Sequence, residues 1–354
     1  MRTPRASWMR QGKFGMMVHW LGDRTPQQYE HEITDHNEAV NQFDLERFID
    51  GFRRSKADWL IFTIGQNTGC YASPNAVADR LIGPGHCSKR DLVLEIAREV
   101  KQLGRRFIAY IPSGVGGTPE AVQTGFDWKP EGVPMDEAQR RYTEFIAEYA
   151  RRFGTLLDAW WFDGFYANHP AYFDLPRYST LWLDAARAGN ADCAVAFNDA
   201  SFAASLTLPP VPDQDYLSGE TWFLAQGKVL LQPGWKVSNE PMLLLTPATH
   251  PTQPPPNCLW HCLVPIDCMW ETRIVFHECQ NPPFAWVPPE PNQMERPLYS
   301  TDELESVVRD FKAVGGGVTF NVGIFQEGNL GPATVDRLAA LAGRMEGRQP
   351  DPSQ

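Results

Sequence analysis

The sequence predicts one α/β domain, a (β/α)8 barrel of the TIM type over residues 1–348 with a tail at 349–354. Three observations predict it. Short apolar runs alternate with segments whose apolar residues recur at helical spacing, the rhythm of a βα repeat. A chain of 354 residues suits one barrel, which takes roughly 250 to 400 residues. The run L-L-D-A-W-W-F-D-G-F-Y at Leu156–Tyr166 is strand-like, yet it carries a carboxylate and a glycine near its end. A buried strand gains nothing from Asp163, so the residue is expected where strand gives way to loop. In a barrel that is the catalytic face. The plainer alternative is an aspartate that caps the next helix.

Phe14–Trp20 is the first strand. Asp44–Arg54 is a helix with Leu45, Phe48 and Ile49 on one side. Trp59–Thr63 is the second strand. A helix begins at Ser88, where Ser88 and Asp91 make an N-cap arrangement, and stops at Gly104. Arg106–Pro112 is the third strand, Asp136–Phe153 a long helix, and the Asp163 strand follows. Cys193–Asn198 and Asp215–Thr221 are further strands, the latter ending in Glu220. Ser300 and Glu303 form a capping box before a helix that runs to Val314. Three glycines lead into a last strand at Val318–Val322, and Pro332–Met345 is the final helix. The proline-rich stretches Leu208–Asp213, Pro251–Pro256 and Pro282–Pro291 are long connecting loops, where substrate pockets are made.

Composition narrows the function. A hydrophobic share of 43% can build a large core. A net charge of −11 argues against a nucleic-acid partner, which calls for clustered Lys and Arg. The basic residues are scattered along helices instead, as at Arg53-Arg54 and Arg140-Arg141. No apolar run of about 18 residues offers a membrane span, and the first residues lack the apolar stretch of a signal peptide. Seven cysteines, an odd number with no C-x-x-C pair, are expected to be reduced and mostly buried in a cytoplasmic protein.

Two carboxylates carry the chemistry. Asp163 is flanked by Trp160, Trp161, Phe162 and Phe165, and aromatic faces stack on the apolar side of a sugar ring. Glu220 repeats the arrangement, with Gly219 before it and Trp222 and Phe223 shortly after. Two carboxylates on one barrel face can divide into nucleophile and acid/base. Glu220 can also be read as a salt-bridged surface residue. Glu271, after Trp270, is a third carboxylate whose plainer reading is an ion pair with Arg273. His19 closes the first strand, as a sugar contact or a core histidine. H-E-I-T-D-H at His31–His36 misses the i,i+4 spacing of a zinc helix, so no metal is expected. Neither a phosphate-binding glycine loop nor a G-x-S-x-G elbow is present.

Taken in order, these motifs resemble the α-L-fucosidases of glycoside hydrolase family 29, over nearly the whole chain. K-F-G-M-M-V-H-W (Lys13–Trp20) is similar to the family's opening strand, and Phe43-Asp44 to the start of its first helix. S-K-R-D-L-V (Ser88–Val93) resembles its second-helix signature. W-F-D-G (Trp161–Gly164) resembles its nucleophile strand, and D-Y-L-S-G-E (Asp215–Glu220) the acid/base strand of many members. W-E-T (Trp270–Thr272) and G-G-G-V-T-F-N-V-G (Gly315–Gly323) resemble two further motifs. The resemblance implies a retaining, exo-acting α-glycosidase without cofactor or metal. Asp163 is the implied nucleophile and Glu220 the acid/base, with Glu271 as the alternative. His19, Trp20, Gln66, Asn67, Trp161, Trp222 and Trp286 are the expected substrate contacts.

The departures bear on the substrate. The family's H-H-D-G falls on Gln66-Asn67-Thr68-Gly69, and its arginine after Asn-Asp falls on Ala200. Amides still hydrogen-bond hydroxyls but carry no charge. Such swaps change sugar preference sharply, so an α-linked sugar other than L-fucose fits about as well. The family's C-terminal β-sandwich is not expected here, which leaves a bare barrel that homo-oligomerisation would help. A non-hydrolytic carbohydrate-binding barrel and a lyase-like sugar-modifying enzyme are the other readings.

Overall fold

The computed structural model describes residues 5–25, 33–130, 133–165, 175–198, 209–221, 224–225, 227–231, 243–245, 247–249, 254–267 and 296–347. The strands in chain order are β1 (Gly15–Val18), β2 (Trp59–Thr63), β3 (Arg106–Pro112), β4 (Ala159–Asp163), β5 (Ala194–Phe197), β6 (Leu224–Ala225), β7 (Lys228–Leu231), β8 (Leu243–Leu245), β9 (His261–Pro265) and β10 (Gly317–Val322). The helices are α1 (Trp8–Gln11), α2 (His36–Gln42), α3 (Leu45–Ser55), α4 (Ala76–Ile82), α5 (Leu92–Gln102), α6 (Glu120–Gly125), α7 (Asp136–Phe153), α8 (Leu175–Ala186), α9 (Thr301–Ala313) and α10 (Pro332–Glu346).

Seven strands form one parallel sheet in the order β5-β4-β3-β2-β1-β10-β9, and β6-β7-β8 make a small antiparallel sheet. The strands are buried on both faces, as parallel strands with helices on one side and a packed interior on the other must be. Side-chain alternation then sorts them. Leu60, Phe62, Phe107, Trp160, Phe162, Phe197 and Phe320 face outward and join the helices in one core. Met17, Trp59, Ile61, Ile108, Tyr110 and Trp161 face inward. They share a second core with Tyr216, Leu259 and Leu263 from the far side of the sheet. Side chains from both ends of one sheet face meet, so the sheet is curled into a TIM-like half-barrel.

The interior fits because large and small residues alternate. Trp59 and Trp161 fill space that Ala159, Ala194 and Ala196 leave. A Cβ on Gly15 would stand 1.8 Å from the Trp59 indole nitrogen, so only glycine admits that ring.

The stretch 215–221, expected as a strand, is instead a bridged segment. Its parallel bridges Tyr216↔Leu259 and Glu220↔Leu263 join it to β9 and the residues before it. On the other side the Asp215 amide donates to the Val195 carbonyl of β5 at 2.8 Å. The irregularity has a local cause. Gly219 adopts φ +70°, outside the extended region, and breaks the pleat one residue before Glu220.

Of the two N-terminal caps expected, one holds and one is corrected. Ser300 and Glu303 complete the expected capping box of α9. The helix expected from Ser88 starts at Leu92, because the Asp91 carboxylate, and not Ser88, accepts from the Leu94 amide at 3.3 Å. Ser88 donates to the Arg90 carbonyl at 2.7 Å in the turn before it. β9 was not among the expected strands: His261 and Pro265 bound it and leave only three apolar residues, Cys262, Leu263 and Val264, between them.

Candidate active site

The C-terminal ends of the sheet strands gather the polar residues. Asp163 is the last residue of β4, and its backbone carbonyl accepts from the Ser113 amide just beyond β3 at 2.6 Å. Gly164 follows at φ +86°, which turns the chain out of the sheet. The carboxylate remains half-buried. Its Oδ2 accepts from the Tyr110 hydroxyl at 2.5 Å and from Gln66 Nε2 at 3.4 Å, the latter a weak bond. Its Oδ1 accepts from Asn198 Nδ2 at 2.8 Å.

Asn198 directly follows β5 and also donates, through the same Nδ2, to Glu220 Oε2. One amide nitrogen therefore spans the two carboxylates. Glu220 owes its position to Gly219. A Cβ there would stand 2.1 Å from the His261 carbonyl oxygen, so the 215–221 segment reaches β9 this closely only with glycine.

Beneath the carboxylates a polar chain crosses the interior. Trp59 Nε1 donates to Thr319 Oγ1 at 2.8 Å, and Thr319 Oγ1 lies 2.8 Å from His261 Nε2. His261 Nδ1 lies 3.1 Å and 3.0 Å from the Leu217 and Ser218 carbonyls. Carbonyls only accept, so Nδ1 carries the proton and Nε2 accepts from the threonine hydroxyl. Burial pushes the imidazole down to about 4, with the two carbonyls opposing that shift. A neutral His261 thus pins the segment that carries Glu220. Trp161 Nε1 donates to the same Ser218 carbonyl at 3.1 Å.

The expected site residues distribute as follows. Asp163, Glu220 and Gln66 meet through the bonds above. Trp161 stacks on Tyr110, with centroids 5.2 Å apart and planes 17° apart, and His19 packs against the same Tyr110 at 5.0 Å. Trp20 faces the opposite way. It is 1% exposed, packs against Phe43 and Phe62, and donates from Nε1 to the Gln326 carbonyl at 2.9 Å. It still lines a narrow cleft with Gln66, Thr68 and His36. Asn67 is exposed, and its side chain lies against the Gly117 backbone. Glu271, Trp222 and Trp286 lie outside the described residues. So do His31 and Glu32, while His36 opens α2.

Tyr110 and Asn198 are the residues that sequence reasoning passed over. Both sit on the inward parity near strand ends, as Asp163 does, and that shared parity is the signal that marks them. Among the described residues no three His, Cys, Asp or Glu side chains stand together at metal-binding spacing. Among them, too, no helix is long and apolar enough to cross a membrane.

No protein-family model matches the sequence, and no curated protein matches it. Solved structures do share the fold. The chain is similar to the endo-fucoidan hydrolase MfFcnA4 of glycoside hydrolase family 107, at 16% identity and a TM-score of 0.62. That match covers 97% of this chain and 53% of MfFcnA4, so the chain spans about half of that protein's length. A second endo-fucoidan hydrolase of family 107, P5AFcnA, is 13% identical with a TM-score of 0.60, over 99% of this chain and 95% of that one. The α-L-fucosidase AlfC from Lactobacillus casei is 14% identical with a TM-score of 0.54, over 98% and 99%. The shared architecture therefore does not single out family 29.

Proposed function

We propose that the protein is a retaining α-glycosidase for an α-linked sugar, L-fucose or one related in configuration. The observation that carries this is the single Asn198 nitrogen shared by Asp163 and Glu220. Two oxygens that each lie within about 3 Å of one nitrogen are at most about 6 Å apart. Retaining pairs need about 5 to 5.5 Å, whereas inverting pairs hold a water between carboxylates about 6.5 to 9.5 Å apart. The fold shared with fucoidan hydrolases and α-L-fucosidases supports the same reading. In this reading the 215–221 segment takes the place of an eighth strand between β5 and β9 and closes the barrel.

Asp163 attacks the anomeric carbon while Glu220 donates its proton to the leaving oxygen, and the glycosidic bond breaks. Glu220 then takes a proton from water, whose oxygen displaces Asp163 and releases the sugar with its configuration retained. Tyr110, Asn198 and Gln66 hold the Asp163 carboxylate in one orientation, which shortens the search for an attack geometry. The stacked rings of Trp161 and Tyr110 offer an apolar wall for a sugar face.

The test is a panel of aryl α- and β-glycosides, α-L-fucoside included, together with fucoidan oligosaccharides. The wild type is expected to cleave an α-linked member with retention, as read by NMR of the first-formed anomer. Glu220→Gln is expected to slow poor leaving groups far more than activated aryl ones. Inverted product, or a panel untouched by folded protein, overturns the proposal.

A further inference from the structure

We propose that Asn198 serves the bound sugar as well as the carboxylates: its Oδ1 accepts a hydrogen bond from a hydroxyl of the sugar ring held over Asp163. This rests on the glycosidase reading above and assigns that site a specificity-determining residue.

Asn198 is 0% exposed, and its Oδ1 has no hydrogen-bond partner among the described residues. Its orientation is chemically determined. Asp163, the nucleophile of that reading, is ionised and only accepts, so the nitrogen Nδ2 and not Oδ1 faces it, and Glu220 Oε2 meets the same nitrogen. A buried amide oxygen without a donor costs about 1–3 kcal/mol. An acceptor kept dry beside two catalytic carboxylates is suited to a group that arrives with the ligand. A sugar hydroxyl is such a donor. Because the same amide holds both carboxylates, a sugar that supplies the hydroxyl also stiffens the geometry of the pair, whereas one that lacks it leaves the oxygen unpaired.

The experiment is a substrate-by-mutation cycle. Wild type and Asn198→Ala are assayed with the aryl glycoside the wild type cleaves and with its monodeoxy analogues. In the wild type, loss of one particular hydroxyl is expected to lower kcat/KM about 10- to 100-fold. In Asn198→Ala that same loss is expected to change little, while the penalties at the other hydroxyls persist. Asn198→Asp keeps the shape but adds a third negative charge between Asp163 and Glu220. It is expected to move the basic limb of the pH–rate profile upward, because like charges hold the acid/base proton more tightly. Equal deoxy penalties in wild type and Asn198→Ala, with an unmoved profile in Asn198→Asp, overturn the Asn198 assignment and leave the glycosidase reading intact. A folded wild type inert to the whole panel overturns both.

Discussion

Strand β4 is bounded by two aspartates whose surroundings have little in common. Asp158, just before the strand, is 6% exposed and answered by cations. Lys101 Nζ lies 2.9 Å from both its oxygens, Arg106 Nη1 lies 2.7 Å from one, and the Phe107 amide donates at 2.9 Å. Asp215, at the same end of the sheet, is likewise paired with Arg5 and Arg187. At the other end the donors described around Asp163 and Glu220 are neutral: Tyr110, Gln66 and Asn198. Neutral donors fix where a carboxylate points without cancelling its charge. In the proposed reading the first pair of carboxylates are fixtures and the second pair are reagents.

The largest expected effect separates these roles within one strand. Asp163→Asn should lower turnover by at least about 1,000-fold while the melting temperature stays near that of the wild type. Asp158→Ala should do the reverse, costing about 3 kcal/mol of stability with near-normal activity per folded molecule. Activity assays paired with thermal melts read both, and a swapped pattern would break the contrast.

Gly219→Ala comes next. Its Cβ would meet the His261 carbonyl at 2.1 Å, in a backbone conformation that alanine avoids, so Glu220 must shift. Activity should fall about 100-fold, together with about 2 kcal/mol of stability. A variant equally active and stable would show that the segment has room to spare.

His261 lies between the two ends. The unfolded imidazole binds a proton near 6.5, whereas the folded one resists until about 4. Stability from this group is complete above about pH 6.5 and is lost as pH falls toward 4, by up to about 3 kcal/mol. Denaturant midpoints from pH 7 to 4 should trace that loss, and His261→Gln should flatten it.

The smallest effect is at Tyr110. Tyr110→Phe removes one donor from Asp163 and keeps the stacked ring, so turnover should drop about 10-fold with KM little changed. A larger KM effect would place the hydroxyl on the substrate instead of on the carboxylate.

Where a pattern was local, the sequence disclosed it. β2, β3 and α7 have the expected boundaries because apolar runs and amphipathic spacing determine them within a few residues. Asp163 was legible as a carboxylate that a strand interior would not keep. Asn198 and Tyr110 were not, since their meaning comes from partners 35 and 53 positions away, across curled strands. Trp20 shows the converse limit. Beside His19 it has the composition of a sugar platform, but the alternation of β1 carries on past Val18, so His19 packs on Tyr110 while Trp20 packs against Phe43 and Phe62 in the outer core.

β1 lies in the middle of the parallel sheet, between β2 and β10, with Gly15 paired to Thr319. Its two neighbours emerge from the ribosome at very different times. β2 follows within a few dozen residues, but β10 arrives about 300 residues later. At roughly 5–20 residues per second, one edge of β1 waits on the order of half a minute without its hydrogen-bonding partner. During that interval the nascent chain carries a bare apolar strand edge, a template for pairing with its neighbours on the same message. Slower elongation lengthens that exposure.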